Sequence, residues 1–224
     1  MSLTSTTCDL YGGAMTVSLP TDLVDASNLR QIPDHQEVFL RKNALTSIIF
    51  EINEYQTSDH ITTATPTTGT QISTSTTAST HTQDEAAATH HLIDIIQPPD
   101  SLASSSLKTM AITITQSSLN KFPAYHTTAT IITPEVDLRA AHQSALPVTW
   151  QSNPVQREYE TKTQQLLVRM KDYGVDFCVR VDVPLKEFVD DVEGGEKEVK
   201  WAEEVMRRIV ETVDVKNFGL FGEE

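Results

Sequence analysis

Three residues in the middle of the chain, His90, His91 and Asp94, have the types and the spacing of metal ligands. A protein zinc site takes three or four ligands, and a histidine with a carboxylate three residues away does not complete such a set. The same residues are typical of a helix end, where histidine stabilises the helix dipole. We therefore favour a structural role for them and expect no metal and no cofactor, with a metal-dependent enzyme as the alternative.

Motifs of covalent chemistry are missing from the sequence. No Gly-x-Ser-x-Gly segment provides a nucleophile elbow, and no glycine-rich loop of the kind that holds phosphate groups occurs. The glycine pair Gly12-Gly13 is typical of a tight turn or bulge before a strand. The sequence therefore favours a protein that acts by binding.

A charged turn is predicted around Pro33, which fixes its own φ and forces the preceding residue into an extended conformation. The turn brings Asp34 and Glu37 just ahead of a strand, with Arg30 before it. One interpretation is structural: Asp34 makes an Asx-turn and Glu37 is a solvated strand residue. The other is functional: the two carboxylates bind an arginine or lysine of a partner protein. The residues alone leave both interpretations open and favour the structural one.

The overall charge narrows the kinds of partner. The 224 residues carry a formal net charge of −14, with a sequence pI of about 4.8. Such a surface repels nucleic acid and anionic membranes and favours a basic protein partner. The two cysteines, Cys8 and Cys178, match no ligand spacing and are expected to be reduced thiols in a cytosolic or nuclear protein. A chain of this length is expected to form one domain, 1–224, and the charge and lack of heptads favour a monomer.

Alternation of apolar and polar residues predicts several strands. They are Ala14–Leu19, Glu37–Leu40, Thr46–Ile52 and Lys108–Gln116. Asp25 is a good N-cap for a short helix that Pro33 ends. A second short helix is predicted at Asp84–His91.

The clearest local prediction is a hairpin followed by a helix. Gln165–Met170 leads through a turn at Gly174 into Val175–Val183, whose odd-numbered residues are all apolar and face one way. After Gly194-Gly195, the segment Glu196–Val213 has apolar residues at helical spacing, which predicts a helix packed on the sheet. Strands followed by packed helices predict an α+β fold with a largely antiparallel sheet.

Two stretches lack such patterns and are predicted to be insertions into the domain. In Thr57–Gln83, 16 of 27 residues are serine or threonine, too polar to offset the entropy of ordering, so we expect a flexible segment. The second, about Phe122–Asn153, carries Pro123, Pro134 and Pro147 and is predicted to be irregular. Within it, only Thr128–Ile132 has the composition of an added strand.

A set of short motifs resembles the Ran guanine-nucleotide release factors, the Mog-type regulators of nuclear import. Four of them follow one another near the N-terminus, and two more lie near the C-terminus. They are Leu10–Ala14, Asp25–Arg30, Pro33–Phe39, Ser47–Glu51, Gly174–Pro184, and Val213-Asp214 with Leu220-Phe221.

The resemblance implies a fold, a partner and a site. The fold would be that of the PsbP-like proteins, an antiparallel sheet sandwiched by helices. The partner would be the small GTPase Ran, whose nucleotide the protein would release to support nuclear import, in the nucleus and cytoplasm. In the family, the acidic pair of a Pro-Asp-x-Gln-Glu motif contributes to Ran binding, which implies Asp34 and Glu37 here.

Three further residues match the family pattern. The resemblance implies that Arg30 and Gln36 either contact Ran or hold the turn in shape. Asp25 matches as well, and for it we favour the role of helix N-cap over a contact with Ran. The alternative function is a PsbP-like module that binds a different basic protein, because a fold does not fix a function.

Overall fold

The computed structural model describes residues 4–57, 80–116, 118–135 and 157–222. Within these ranges two α-helices, α1 (Thr80–Asp94) and α2 (Val192–Thr212), accompany a set of antiparallel strands. The strands are β1 (Ser5–Leu10), β2 (Met15–Pro20), β3 (Leu23–Asp25), β4 (Gln36–Arg41), β5 (Ser47–Glu54), β6 (Ser101–Leu102), β7 (Lys108–Ile112), β8 (Ala124–Glu135), β9 (Arg157–Met170), β10 (Val175–Pro184) and β11 (Asp214–Val215).

The main sheet has eight strands, in the order β3-β4-β5-β10-β9-β8-β6, with β7 also paired to β8. A small second sheet has the order β1-β2-β11. The predicted hairpin is confirmed as β9–β10, which lies at the centre of the main sheet. Strands from both halves of the chain therefore build one sheet.

One face of the main sheet carries most of the core. The apolar residues of β4, β5, β9 and β10 on this face pack with β2 and with the apolar stripe of α2. The stripe predicted from the sequence is confirmed, since Ala202, Val205, Met206 and Ile209 are buried. Helix α1 packs on β7, β8 and β9, where Ala87 and Ala88 join Tyr125, Leu167 and Cys178 in a second core cluster. The α+β sandwich is confirmed.

Helix α2 begins four residues earlier than the sequence indicated, because Asp191 caps it. The Asp191 carboxylate accepts the backbone N–H of Gly194 at 2.9 Å, which places Gly194-Gly195 inside the helix and not before it. A Cβ at Gly195 would come within 3.1 Å of Phe188 Cβ, so the glycine allows a close approach of the helix to the chain that precedes it.

The added strand predicted at Thr128–Ile132 is confirmed, but it is longer than predicted, so the prediction of an irregular stretch at Phe122–Asn153 was wrong for residues 124–127 and 133–135. Strand β8 pairs along its whole length with β9, from Ala124 opposite Val168 to Glu135 opposite Arg157. Alternate residues of β8 are buried, and many of them are β-branched or alanine, which suit a strand. Pro123 comes just before the strand and Pro134 lies next to its last residue, where proline is tolerated. Residues 136–153 lie outside the described part of the chain.

Other predicted boundaries shift. Helix α1 starts at Thr80, inside the stretch predicted to be flexible, whereas residues 58–79 lie outside the described ranges. The short helix predicted after Asp25 is a 3₁₀ turn, Ala26–Asn28, and the strand near residue 110 ends at Ile112. Neither α-helix in the described ranges has the length and apolarity needed to cross a membrane.

Candidate functional site

The predicted charged turn connects the 3₁₀ turn to strand β4, at one end of the main sheet. The Gln36 backbone N–H donates to the Pro33 carbonyl at 2.9 Å, and the Ile52 N–H of β5 donates to the His35 carbonyl at 3.0 Å. The first hydrogen bond closes the turn, and the second fixes it against the neighbouring strand β5. We call residues 25–37, from the N-cap to the start of β4, the charged loop.

Asp34 and Arg30 are the free charges of the charged loop. Both residues are exposed, and neither side chain has a hydrogen bond or ion pair with any described residue. Asp25 has the predicted N-cap role, since its carboxylate accepts the Ser27 N–H at 2.8 Å. The loop is therefore held by its own backbone and by Asp25, and it leaves Asp34 and Arg30 free to bind a partner.

Glu37 has a structural partner that the sequence did not reveal. Its Oε1 accepts the backbone N–H of Tyr11 at 2.8 Å, and the Tyr11 hydroxyl donates to the His35 carbonyl at 3.3 Å. Tyr11 lies in the turn between β1 and β2, 26 residues away in sequence. Two of the N-terminal motifs therefore meet in space.

The turn at Tyr11 needs this support because its backbone is strained. Tyr11 has a φ of 50°, and Gly12 and Gly13 follow at 65° and 88°, so the predicted tight turn is confirmed. A left-handed tyrosine costs about 1 kcal/mol or more. Burial, with the Glu37 and Glu51 carboxylates nearby, raises the pKa of the Tyr11 phenol well above its ordinary value.

Gln36 holds the loop to β5 through its side chain. Its Nε2 donates to Glu51 Oε1 at 2.5 Å, and Glu51 Oε2 accepts from Asn53 at 3.3 Å. Of the five residues implied by the resemblance, Asp25, Gln36 and Glu37 thus have structural bonds. All five lie on or next to one loop.

Removing the Glu37 carboxylate should destabilise the N-terminal hairpin. We expect Glu37→Ala to lower the free energy of unfolding by about 1–2 kcal/mol, because the Tyr11 N–H loses its acceptor. Glu37→Gln keeps an acceptor oxygen and should lose less than half as much. Urea denaturation followed by circular dichroism measures both. Equal losses in the two variants would show that the charge, and not the acceptor, matters.

The three residues considered as metal ligands do not form a metal site, although the rings of His90 and His91 are neighbours with centroids 5.9 Å apart. His91 Nε2 lies 2.9 Å from Asp176 Oδ2 of β10, and Asp94 is exposed. The structural role of His91 is confirmed, although its partner is a buried carboxylate and not the helix end. Within the described ranges no group of three His, Cys, Asp or Glu side chains has the geometry to hold a metal.

A buried ionic cluster surrounds Asp176. Its other oxygen accepts Arg169 Nε at 3.1 Å, and Arg169 also binds Asp84 of α1 at 2.7 Å and lies 3.9 Å above the Tyr55 ring. Arg169 is 2% exposed and Asp176 is 0% exposed. The cluster joins α1 to β9, to β10 and to Tyr55, the residue that follows β5. The hairpin register, which pairs Asp176 with Arg169 across a tight turn, is the signal that could have revealed it.

A second buried carboxylate fixes α2 to the opposite end of β4. Glu198 is 6% exposed, accepts the Thr46 hydroxyl at 2.6 Å and forms an ion pair with Arg41, which lies 4.2 Å above the Trp201 ring. Two open grooves run beside α2: one of about 620 Å³ over β8 and β9, and one of about 520 Å³ over β9 and the turn that follows β10. Neither groove is lined by a residue of the charged loop.

The fold and the site define an α+β sandwich that presents a charged loop at one end of its sheet. A family model described as "Ran-interacting Mog1 protein" matches residues 8–184. The match covers more than half of the chain, and the chain belongs to the Mog1 family.

Several relatives are similar to segments of this chain. The "Probable ran guanine nucleotide release factor" of Dictyostelium discoideum is 44% identical over 29% of this chain and 32% of its own length. The human "Ran guanine nucleotide release factor" is 33% identical over 39% of this chain and 35% of its own length. The "Nuclear import protein mog1" of Schizosaccharomyces pombe is 57% identical over 18% and 22%. The aligned segments thus span about a third or less of these relatives.

Two solved structures have a fold similar to that of this chain. The Ran-binding protein Mog1p of Saccharomyces cerevisiae matches with a TM-score of 0.55 at 18% identity, over 99% of this chain and 100% of that one. A glutamate-to-alanine mutant of Mog1 matches with a TM-score of 0.55 at 17% identity, over 98% and 100%. At such identities the likeness shows the fold alone.

Proposed function

We propose that this protein binds the small GTPase Ran and promotes release of its guanine nucleotide, in support of nuclear protein import. The observation that carries the proposal is the match of the Ran-interacting Mog1 family to residues 8–184. The names of the relatives agree, since they are Ran guanine nucleotide release factors and nuclear import proteins. The protein would work as one Ran-binding domain, in the nucleus and cytoplasm.

The charged loop is the proposed contact surface. Asp34 and Arg30 are exposed and unpaired with any described residue, so binding breaks no existing ion pair. Glu37 would contribute in two ways, since one oxygen holds Tyr11 and the carboxylate adds negative charge beside Asp34. Gln36 and Asp25 would act by keeping the loop in shape, through Glu51 and Ser27 respectively.

Nucleotide release requires binding energy and no covalent step. A protein that binds nucleotide-free Ran more tightly than nucleotide-bound Ran lowers the nucleotide affinity by the same factor, because coupling is reciprocal. A hundredfold effect corresponds to about 2.7 kcal/mol, which a few charge-assisted contacts can supply. The Asp34 carboxylate would compete for a basic group that the GTPase otherwise uses near the phosphates.

Nucleotide release from Ran tests the proposal directly. Ran loaded with fluorescent GDP, and separately with fluorescent GTP, is mixed with excess unlabelled nucleotide in the presence or absence of this protein. We expect faster release of at least one nucleotide, rising with protein concentration to a plateau. A different small GTPase loaded in the same way is the control. Unchanged release of both nucleotides from Ran would contradict the proposal.

A further inference from the structure

The charged loop also exposes a large apolar side chain. Leu29 is 67% exposed, and it directly precedes Arg30. Single exposed leucines are common on protein surfaces and need no explanation by themselves. Leu29 differs from such leucines in two respects: its backbone is fixed by hydrogen bonds, and charged residues lie on the same loop.

The backbone around Leu29 is fixed. The N–H groups of Leu29 and Arg30 both donate to the Ala26 carbonyl, at 2.9 and 3.0 Å, and Ala26 is 1% exposed. Asp25 caps the same turn through Ser27. The side chain is therefore held outward on an ordered turn, and ordering the backbone costs little on binding, which is the condition for an efficient contact.

We propose that Leu29 is an apolar anchor of the Ran-binding surface, which rests on the proposed function. Arg30 and Asp34, both without a described partner, supply one positive and one negative charge on the same loop. The complementary surface of the GTPase is an apolar pocket with an acidic group for Arg30 and a basic group for Asp34. Binding hot spots lie in well-packed pockets that the surrounding contacts shield from water; leucine is less frequent there than tryptophan, tyrosine or arginine, and the adjacent Arg30 is of the enriched kind.

The variant Leu29→Ser tests the anchor. Burying a leucine contributes about 1.5–3 kcal/mol, so its loss should weaken Ran binding by roughly ten- to a hundredfold. Leu45→Ser is the matched control: Leu45 is 62% exposed, but it lies in the turn between β4 and β5, at the other end of β4 from Gln36. We expect Leu45→Ser to bind as the unaltered protein does. Affinities are measured by titration calorimetry with nucleotide-free Ran.

Ionic strength separates the anchor from a charge effect. The loss in Leu29→Ser should be the same at low and high salt, whereas the loss from a change at Asp34 should shrink as salt screens it. If the unaltered protein binds Ran and Leu29→Ser binds Ran equally well, Leu29 is not an anchor, and the proposed function stands. If the unaltered protein does not bind Ran, the proposed function fails and the anchor fails with it.

Discussion

Replacing Asp34 by lysine should weaken binding to Ran by roughly a hundredfold or more while leaving the free energy of unfolding unchanged. A reversed charge loses an attraction and adds a repulsion, and losing one partner of a close interfacial charge pair costs about 2–5 kcal/mol. The free energy of unfolding should not change, because Asp34 is exposed and its side chain has no partner in the described ranges. Titration calorimetry with nucleotide-free Ran and urea denaturation measure the two quantities.

A matched control carries the same charge change elsewhere. Glu203 is exposed in the middle of α2, where it lines both grooves, and neither groove includes a residue of the charged loop. Glu203→Lys alters the net charge by the same amount, so any difference from Asp34→Lys is local. Equal affinities for the two variants would remove Asp34 from the contact surface.

The single substitution is sharper than reversing both acidic residues of the loop. In Glu37→Lys the Tyr11 N–H would lose its acceptor, and the loop would also lose a negative charge. Weak binding by the double variant could then come from a displaced N-terminal hairpin. Glu37→Gln avoids this, because the amide oxygen can still accept from Tyr11, and its effect on Ran binding reports the charge of Glu37.

The second large effect concerns stability. We expect Asp176→Ala to lower the free energy of unfolding by about 3–5 kcal/mol, because it leaves the Arg169 guanidinium buried without its cross-strand partner. The His91 ring and the Gln56 N–H lose their acceptor too. Removing both charges with Arg169→Met and Asp176→Leu should recover a large part of the loss. Urea denaturation gives the midpoints and slopes.

The control for this experiment is an exposed ion pair. Arg207 pairs with Glu204 and Glu211 on the outside of α2, and its side chain is 52% exposed. Exposed pairs contribute about 0–1 kcal/mol, so Arg207→Ala should stay within that range. A loss in Asp176→Ala no larger than the loss in Arg207→Ala would mean that the buried cluster is not a main source of stability.

The sequence predicted those strands and helices whose apolar residues repeat at a regular spacing. The β9–β10 hairpin and the α2 stripe were found because their apolar residues repeat at the spacing of strand or helix. Only the middle of strand β8, Thr128–Ile132, was predicted, because the flanking prolines resemble a loop, whereas pairing with β9 extends the strand over Ala124–Glu135. The full length of this strand depends on its pairing with a neighbouring strand, and the sequence of one segment does not reveal that pairing.

The acidic turn was predicted in position, but the structural partner of Glu37 was not. The sequence indicated an acidic turn at Asp34 and Glu37, and the structure places both on one loop. The bond between Glu37 and Tyr11 joins residues far apart in the chain, so no local pattern signals it. Arg169 and Asp176 are different, since a tight hairpin fixes their register and their pairing could have been deduced.

Strands β8 and β9 meet at Glu135 and Arg157, whose backbones face each other as a register pair. Glu135 is further bound by the Tyr159 hydroxyl at 2.6 Å and by Lys186 at 2.8 Å. Lys186 lies just after β10, so this ion pair ties the end of the β8–β9 pair to the chain that leaves the central strand of the sheet. Three strands are therefore held together at one place by side chains as well as by backbone hydrogen bonds, and fraying of β8 from its open end is opposed there.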